Sequence, residues 1–231
     1  SNWSPKFAPA NHSHAYLHSF LSQTLPYDFL EFVEDFSIQD LRSILKTLRD
    51  SAPGPDGIPY SYWVVALDSP PVLEALYSLC LHVISGSPLP PDFNTSFIVF
   101  ISKKHHPSDS VRVARAPCDT RTLSLSNTDS KIASSALLHL FTKSYTYLIH
   151  SSQYGLRGKN LLDAFFQMES SLLVASATSP SPAAGLFDMH NAFPTLSRPY
   201  LWYLLEFLRC PTHIINALKN LYAHAKHIVF P

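Results

Sequence analysis

Proline sets the first limit on what this chain can become. It locks φ and carries no backbone N–H, so it is excluded from helix interiors and central strands. Nineteen of the 231 residues are proline, where about 5% is usual. They gather at joints: Pro53, Pro55 and Pro59; Pro88, Pro90 and Pro91; Pro180 and Pro182. Elements of secondary structure are therefore expected between these joints. The segments are core-forming, since 46% of the chain is hydrophobic and 15% charged. That composition argues against disorder and fits one large domain or two small ones.

Periodicity fills in the segments. Ile38, Leu41, Ile44, Leu45 and Leu48 fall on one helical face, with Ser37 as N-cap and Asp40 at the third position. Two glycines and two prolines in Ala52–Gly57 force a tight turn. Residues 72–85 read as a helix stopped by Gly86. Ser96–Ile101 is aromatic and β-branched, a buried strand running into the basic turn Lys103-Lys104-His105-His106, with 121–125 as its returning strand. Asn127 or Thr128 caps a helix to about Ile149. Further helices are expected over 160–177, from Pro199, and over 212–224. Residues 1–35 read as an irregular or partly helical lead-in. Helices, a hairpin, helices, a strand and helices, in that order, favour an α+β fold.

The formal net charge is zero, which by itself suggests neither a nucleic-acid nor a membrane partner. The sum hides a basic stretch: Lys103, Lys104, Arg112, Arg115, Arg121 and Lys131 stand against Asp109, Asp119 and Asp129. Cys80, Cys118 and Cys210 are three and far apart, without zinc spacing, so reduced thiols are expected. His14 with His18 and His224 with His227 lack an acidic or Cys companion at ligand spacing. Gly158-Lys159 lacks the preceding Gly and the following Ser or Thr of a phosphate-binding P-loop. No leader and no membrane-spanning run of about 18 apolar residues stands out.

One stretch carries chemistry directly. In Gly185–Pro194 a short apolar run ends on Asp188, ahead of a turn and an apolar helix. A carboxylate at a strand end is a common metal ligand, although on the residues alone Asp188 also fits a turn or a cap. A two-metal site needs at least two carboxylates, and no Asp follows 188.

Five stretches, in order, resemble the reverse transcriptases of non-LTR (LINE-type) retrotransposons. Ala52-Pro53-Gly54-Pro55-Asp56-Gly57-Ile58-Pro59 resembles the turn that opens the polymerase domain. Ile98-Val99-Phe100-Ile101-Ser102-Lys103-Lys104 is similar to a fingers strand ending in Lys. Arg121 to Ile132 follows the pattern Arg-Pro-x-Ser-Leu-x-Asn-x-Asp-x-Lys-Ile, with Thr122 in place of Pro. Gln153–Lys159 resembles the loop that comes next, and Phe187-Asp188 with Ala192-Phe193 the first palm motif, where Pro194 replaces the commoner Asp.

The resemblance covers residues 52 to about 225. It implies a partial right-hand polymerase fold, fingers plus the first part of the palm: 1–50 a lead-in and amphipathic helix, 51–183 fingers-like, 184–231 the start of the palm. It implies RNA-directed DNA polymerisation by two-metal nucleotidyl transfer on an RNA template, a DNA primer and dNTPs, with a nuclear setting. Lys103 and Arg121 would contact the nucleotide's phosphates. Asp188 would be catalytic and, with the Met189 carbonyl, would bind Mg²⁺. Backbone groups of Asn191 and Ala192 would face the triphosphate, and Phe193 would be the gate against a ribose 2′-hydroxyl. The family's aromatic-x-Asp-Asp motif, template grip and thumb have no counterpart here, so an N-terminal fragment, inactive alone and exposing apolar surface, is expected. The alternative is a catalytically dead remnant that at most binds nucleic acid. No membrane partner is expected.

Overall fold

A computed structural model describes residues 14–24, 32–105, 107–110, 115–149, 151–155, 158–179, 181, 183, 185 and 196–229. Its helices are α1 (His14–Thr24), α2 (Ile38–Lys46), α3 (Tyr60–Val65), α4 (Pro70–Ile84), α5 (Thr128–Tyr145), α6 (Leu161–Thr178), α7 (Arg198–Phe207) and α8 (Thr212–Tyr222). Its strands are β1 (Thr95–Ser102), β2 (Thr120–Ser126) and β3 (Lys226–Val229). The class is α+β, as expected. The chain divides into two compact units, Ser1–Leu30 with Ser144–Phe207, and Glu31–Lys143 with Leu208–Pro231.

The second unit holds the sheet, in the order β2-β1-β3. Its helices form where the apolar spacing directs. In α4 two prolines occupy the first turn, where no N–H is needed. The helix then buries Leu73, Leu76, Cys80 and Val83 on one face. Gly86 follows it at φ 71, a left-handed position that glycine adopts without strain. The α2 helix begins with a reciprocal cap: Asp40 N–H donates to Ser37 Oγ at 3.2 Å, and Ser37 N–H to Asp40 Oδ2 at 2.8 Å. Asp40 Oδ1 also meets His139 Nε2 at 2.9 Å and Lys143 Nζ at 3.3 Å, tying α2 to α5. Partial burial works to raise the Asp40 pKa. Bonds from the Ser37 backbone and hydroxyl and from Lys143 outweigh it and hold the carboxyl at about 2. The core is completed by Ile132, Ala136, Leu137 and Leu140 of α5 and Ile214 and Ile215 of α8, all buried.

Strands β1 and β2 pair antiparallel, Ser96 opposite Ser126 through Ser102 opposite Thr120. Their connection is longer than a tight hairpin and contains two 3₁₀ turns, Pro107–Ser110 and Pro117–Asp119. On the other side of β1, β3 runs parallel, pairing Thr95–Ile98 with Lys226–Val229. Ser124 donates to Ser96 Oγ, which sits 2.8 Å from His227 Nδ1, so a polar chain crosses all three strands. The Asn94 amide donates to the carbonyls of Asn220 and Ala223 at 2.8 and 2.7 Å, fixing the turn into β3.

In the first unit α1 contacts α7, with the His18 ring edge-on to Phe207 at 5.7 Å. Asn160 caps α6 by accepting from Leu162 N–H at 3.0 Å. Lys159 Nζ donates to the Ser151 carbonyl and lies 5.5 Å over the Tyr154 ring, whose hydroxyl donates to Gln167 Oε1. Among the described residues no single helix is long and apolar enough to cross a membrane.

Candidate functional site

The turn at 52–58 and the start of α5 are 70 residues apart in sequence and form one structure. Gly57 N–H closes the turn onto the Gly54 carbonyl at 3.0 Å, and Asp56 Oδ1 accepts from Ile58 N–H at 3.0 Å. Gly54 lies directly against the backbone of Ser126 and Asn127, where a Cβ has no room. Asn127 does not spend its side chain capping α5. Its Oδ1 accepts from Asp56 N–H at 3.2 Å. Thr128, fully buried, donates to the Ile58 carbonyl at 2.9 Å and accepts from Trp63 Nε1 at 2.7 Å. Lys131 Nζ reaches the Ala52 carbonyl at 3.2 Å and lies 5.6 Å over the Tyr60 ring. Desolvation raises the pKa of Asp129, and the charge of Asp56 adds to the rise. This clamp fixes the chain where β2 passes into α5, and so fixes β2.

The distal end of the β1–β2 ladder carries two expected site residues. Arg121 pairs with Ile101. Lys103 lies two residues beyond Ile101, and its N–H donates to the Asp119 carbonyl at 2.9 Å, which continues the ladder. Side chains two apart share a face, so Lys103 and Arg121 are diagonal neighbours about 7–8 Å apart on one side of the sheet. Both are exposed. Lys103 Nζ donates to the Cys118 carbonyl at 2.6 Å, and an ammonium has two further N–H bonds to give. Neither strand contains an acidic residue, and at this end the cations Lys103 and Arg121 stand with one exposed carboxylate, Asp119, directly before β2.

Not every cation of the basic stretch is available to a ligand. Arg115 is enclosed against Asp109, with its Nη2 2.6 Å from both carboxylate oxygens, and it also donates to the Lys104 carbonyl. Lys131 belongs to the clamp. Lys103, Lys104 and Arg121 are the exposed cations at the ladder's end. Arg112 lies outside the described residues. Only spatial partners separate these classes: Asp109 is six residues from Arg115, and the Ala52 carbonyl is 79 from Lys131. Cys80 is not a reactive thiol, because burial pushes its pKa up to about 12.

Asp188, Met189, Asn191, Ala192 and Phe193 lie outside the described residues, as does the strand expected to carry Asp188. Among the described residues no three His, Cys, Asp or Glu side chains gather as a metal site. Compared with known proteins, the chain matches no protein-family model and no curated protein.

Proposed function

We propose that this chain is the fingers and early palm of a reverse transcriptase, and that the ladder's end holds the phosphates of an incoming deoxynucleotide. The observation that carries this reading is the diagonal placement of Lys103 and Arg121 at the exposed distal end of the β1–β2 ladder. Arg121 offers a planar fork of N–H groups and Lys103 a compact ammonium. Both form charge-assisted hydrogen bonds to phosphate oxygens. Held by a rigid ladder, they would steady the triphosphate and neutralise charge that builds on the departing pyrophosphate. In this reading Asp188 and the Met189 carbonyl would supply part of a magnesium site, which further carboxylates would have to complete before the ion could activate the primer hydroxyl. Asn191 and Ala192 would offer backbone groups to the triphosphate, and Phe193 would be the gate against a ribose 2′-hydroxyl.

Titrating the chain with a fluorescent dNTP, on an RNA template and DNA primer at low salt, tests the reading. Arg121→Ala and Lys103→Ala should each weaken binding about 10- to 100-fold, the worth of a hydrogen bond to a charged group. Unchanged affinity in Arg121→Ala refutes the phosphate assignment. Primer extension on RNA by a longer chain that adds an aromatic-x-Asp-Asp segment, abolished by Asp188→Ala, separates a polymerase from a chain that only holds nucleic acid; extension unchanged by that substitution refutes the polymerase reading.

A further inference from the structure

Helix α6 is bare. Of its 18 residues only Ala164 and Ala175 are even half-covered, and every other residue is exposed. A helix of this length is marginal in water and ordinarily owes its stability to packing an apolar face. At 3.6 residues per turn, Leu161 with Leu162, Phe165 with Phe166 and Leu172 with Leu173 share one arc of about half the circumference. Met168 lies within the arc, and Glu169 is its one charge. Asp163, Gln167, Ser170 and Ser171 lie on the other side, with Val174 the one large apolar residue there. The six paired side chains are 40–64% exposed. They leave on the order of 700 Å² of apolar surface, above the roughly 300–600 Å² of the largest patch on a typical monomer and near the roughly 800 Å² per partner of a standard interface.

The charges narrow what can cover this face. The helix has Asp163 and Glu169 and no Lys or Arg, so neither nucleic acid nor an anionic lipid surface is drawn to it. The chain's formal net charge is zero, so two copies meet without long-range repulsion. The order of the apolar pairs is itself self-complementary. Reflected about Gln167, Leu161 and Leu162 exchange with Leu173 and Leu172, and Phe166 exchanges with Met168. A two-fold axis there sets leucine pair against leucine pair, the isologous contact of a closed dimer. Glu169 of one copy then faces the Phe165 ring of the other, whose edge is electropositive. A parallel pair would instead oppose Glu169 to Glu169.

We propose that α6 is a self-association surface whose partner is a second copy of this chain, paired antiparallel about Gln167. The proposal stands apart from the polymerase reading. Sedimentation equilibrium of the whole chain should give a closed dimer. Phe166→Asp should raise the dimer dissociation constant on the order of 30-fold or more, the range of a central interface residue. Phe166→Leu should leave it within a few-fold of the wild type. Orientation is read by disulfide trapping in a Cys118→Ser background. A mixture of Leu162→Cys and Leu172→Cys chains should cross-link, because these positions face each other. Either variant alone should not, since like positions lie about 15 Å apart along the axis, beyond the roughly 7 Å that a disulfide spans. These two changes are apolar-to-small on an exposed face, so trapping remains decisive if Phe166→Asp disturbs folding. A monomeric or open-ended wild type, a Phe166→Asp chain that dimerises unchanged, or self-cross-linking of Leu162→Cys each overturns the proposal.

Discussion

Thr128→Val removes one oxygen from the centre of the clamp and keeps the side chain's shape. Thr128 is fully buried, and its hydroxyl serves two groups at once, donating to the Ile58 carbonyl and accepting from Trp63 Nε1. Valine fills the space and answers neither. Each group left unpaired away from water costs about 1–3 kcal/mol, and the partial exposure around Trp63 favours the lower part of that range. The expected loss is about 2–4 kcal/mol, against a typical total stability of about 5–15 kcal/mol. Thr128→Ser is the control. It keeps the hydroxyl and gives up one methyl, worth about 1 kcal/mol. Guanidinium unfolding followed by tryptophan fluorescence and circular dichroism should rank the wild type first, the serine variant second and the valine variant last. Amide exchange should show Thr120–Ser126 opening more readily in the valine variant, because the clamp lies where β2 enters α5. A valine variant as stable as the serine variant would mean that the paired hydroxyl does not hold the turn, and would refute the reasoning.

Two further outcomes follow from local geometry. The folded Asp40 pKa of about 2 lies below the ordinary 3.8, so its contribution is complete above the ordinary carboxylate range and is lost as pH falls through about 2. With the side chain 20% exposed, Asp40→Asn should cost about 1–2 kcal/mol at pH 7, a difference that closes toward pH 2 in unfolding curves measured across pH. Gly86→Ala should cost at least about 2 kcal/mol in thermal unfolding, since φ is 71 and the new Cβ runs into the His213 carbonyl. A melting temperature matching the wild type would contradict that.

Much of the helical layout was legible because its causes are local. Ser37 and Asp40 lie three residues apart and cap each other's backbone. Gly86 stops α4 because the chain needs a left-handed residue there. Asn160 caps α6 from one residue away. The β-branched and aromatic run formed a strand at Thr95–Ser102, with β2 returning beside it, but not the buried strand expected: Ser96 is its one buried residue, and Phe100 and Ile101 are exposed. Several boundaries moved by a residue or two, as where α2 stops at Lys46 before Leu48, and the largest shift is in α5, which ends at Tyr145, short of Ile149, where the chain tightens into a 3₁₀ turn over Thr146–Leu148. Two elements went unmarked. The six-residue α3 has too few turns for a period to show. The four residues of β3 carry no strand pattern, and pair with β1 only because residues some 130 positions away hold them there.

By itself the sequence determined where the chain turns, where most helices start and stop, and that cations cluster around 103–131. Those properties rest on φ restrictions, caps and apolar spacing, which act over a few residues. Tertiary structure decided what the side chains are for. It put Lys103 and Arg121 on one face, gave Arg115 to Asp109 and Lys131 to Ala52, took the Asn127 amide from its own helix for Asp56, and left the apolar face of α6 in solvent. Each of these depends on partners brought together by long-range packing, and no pattern within a short window of residues encodes that proximity.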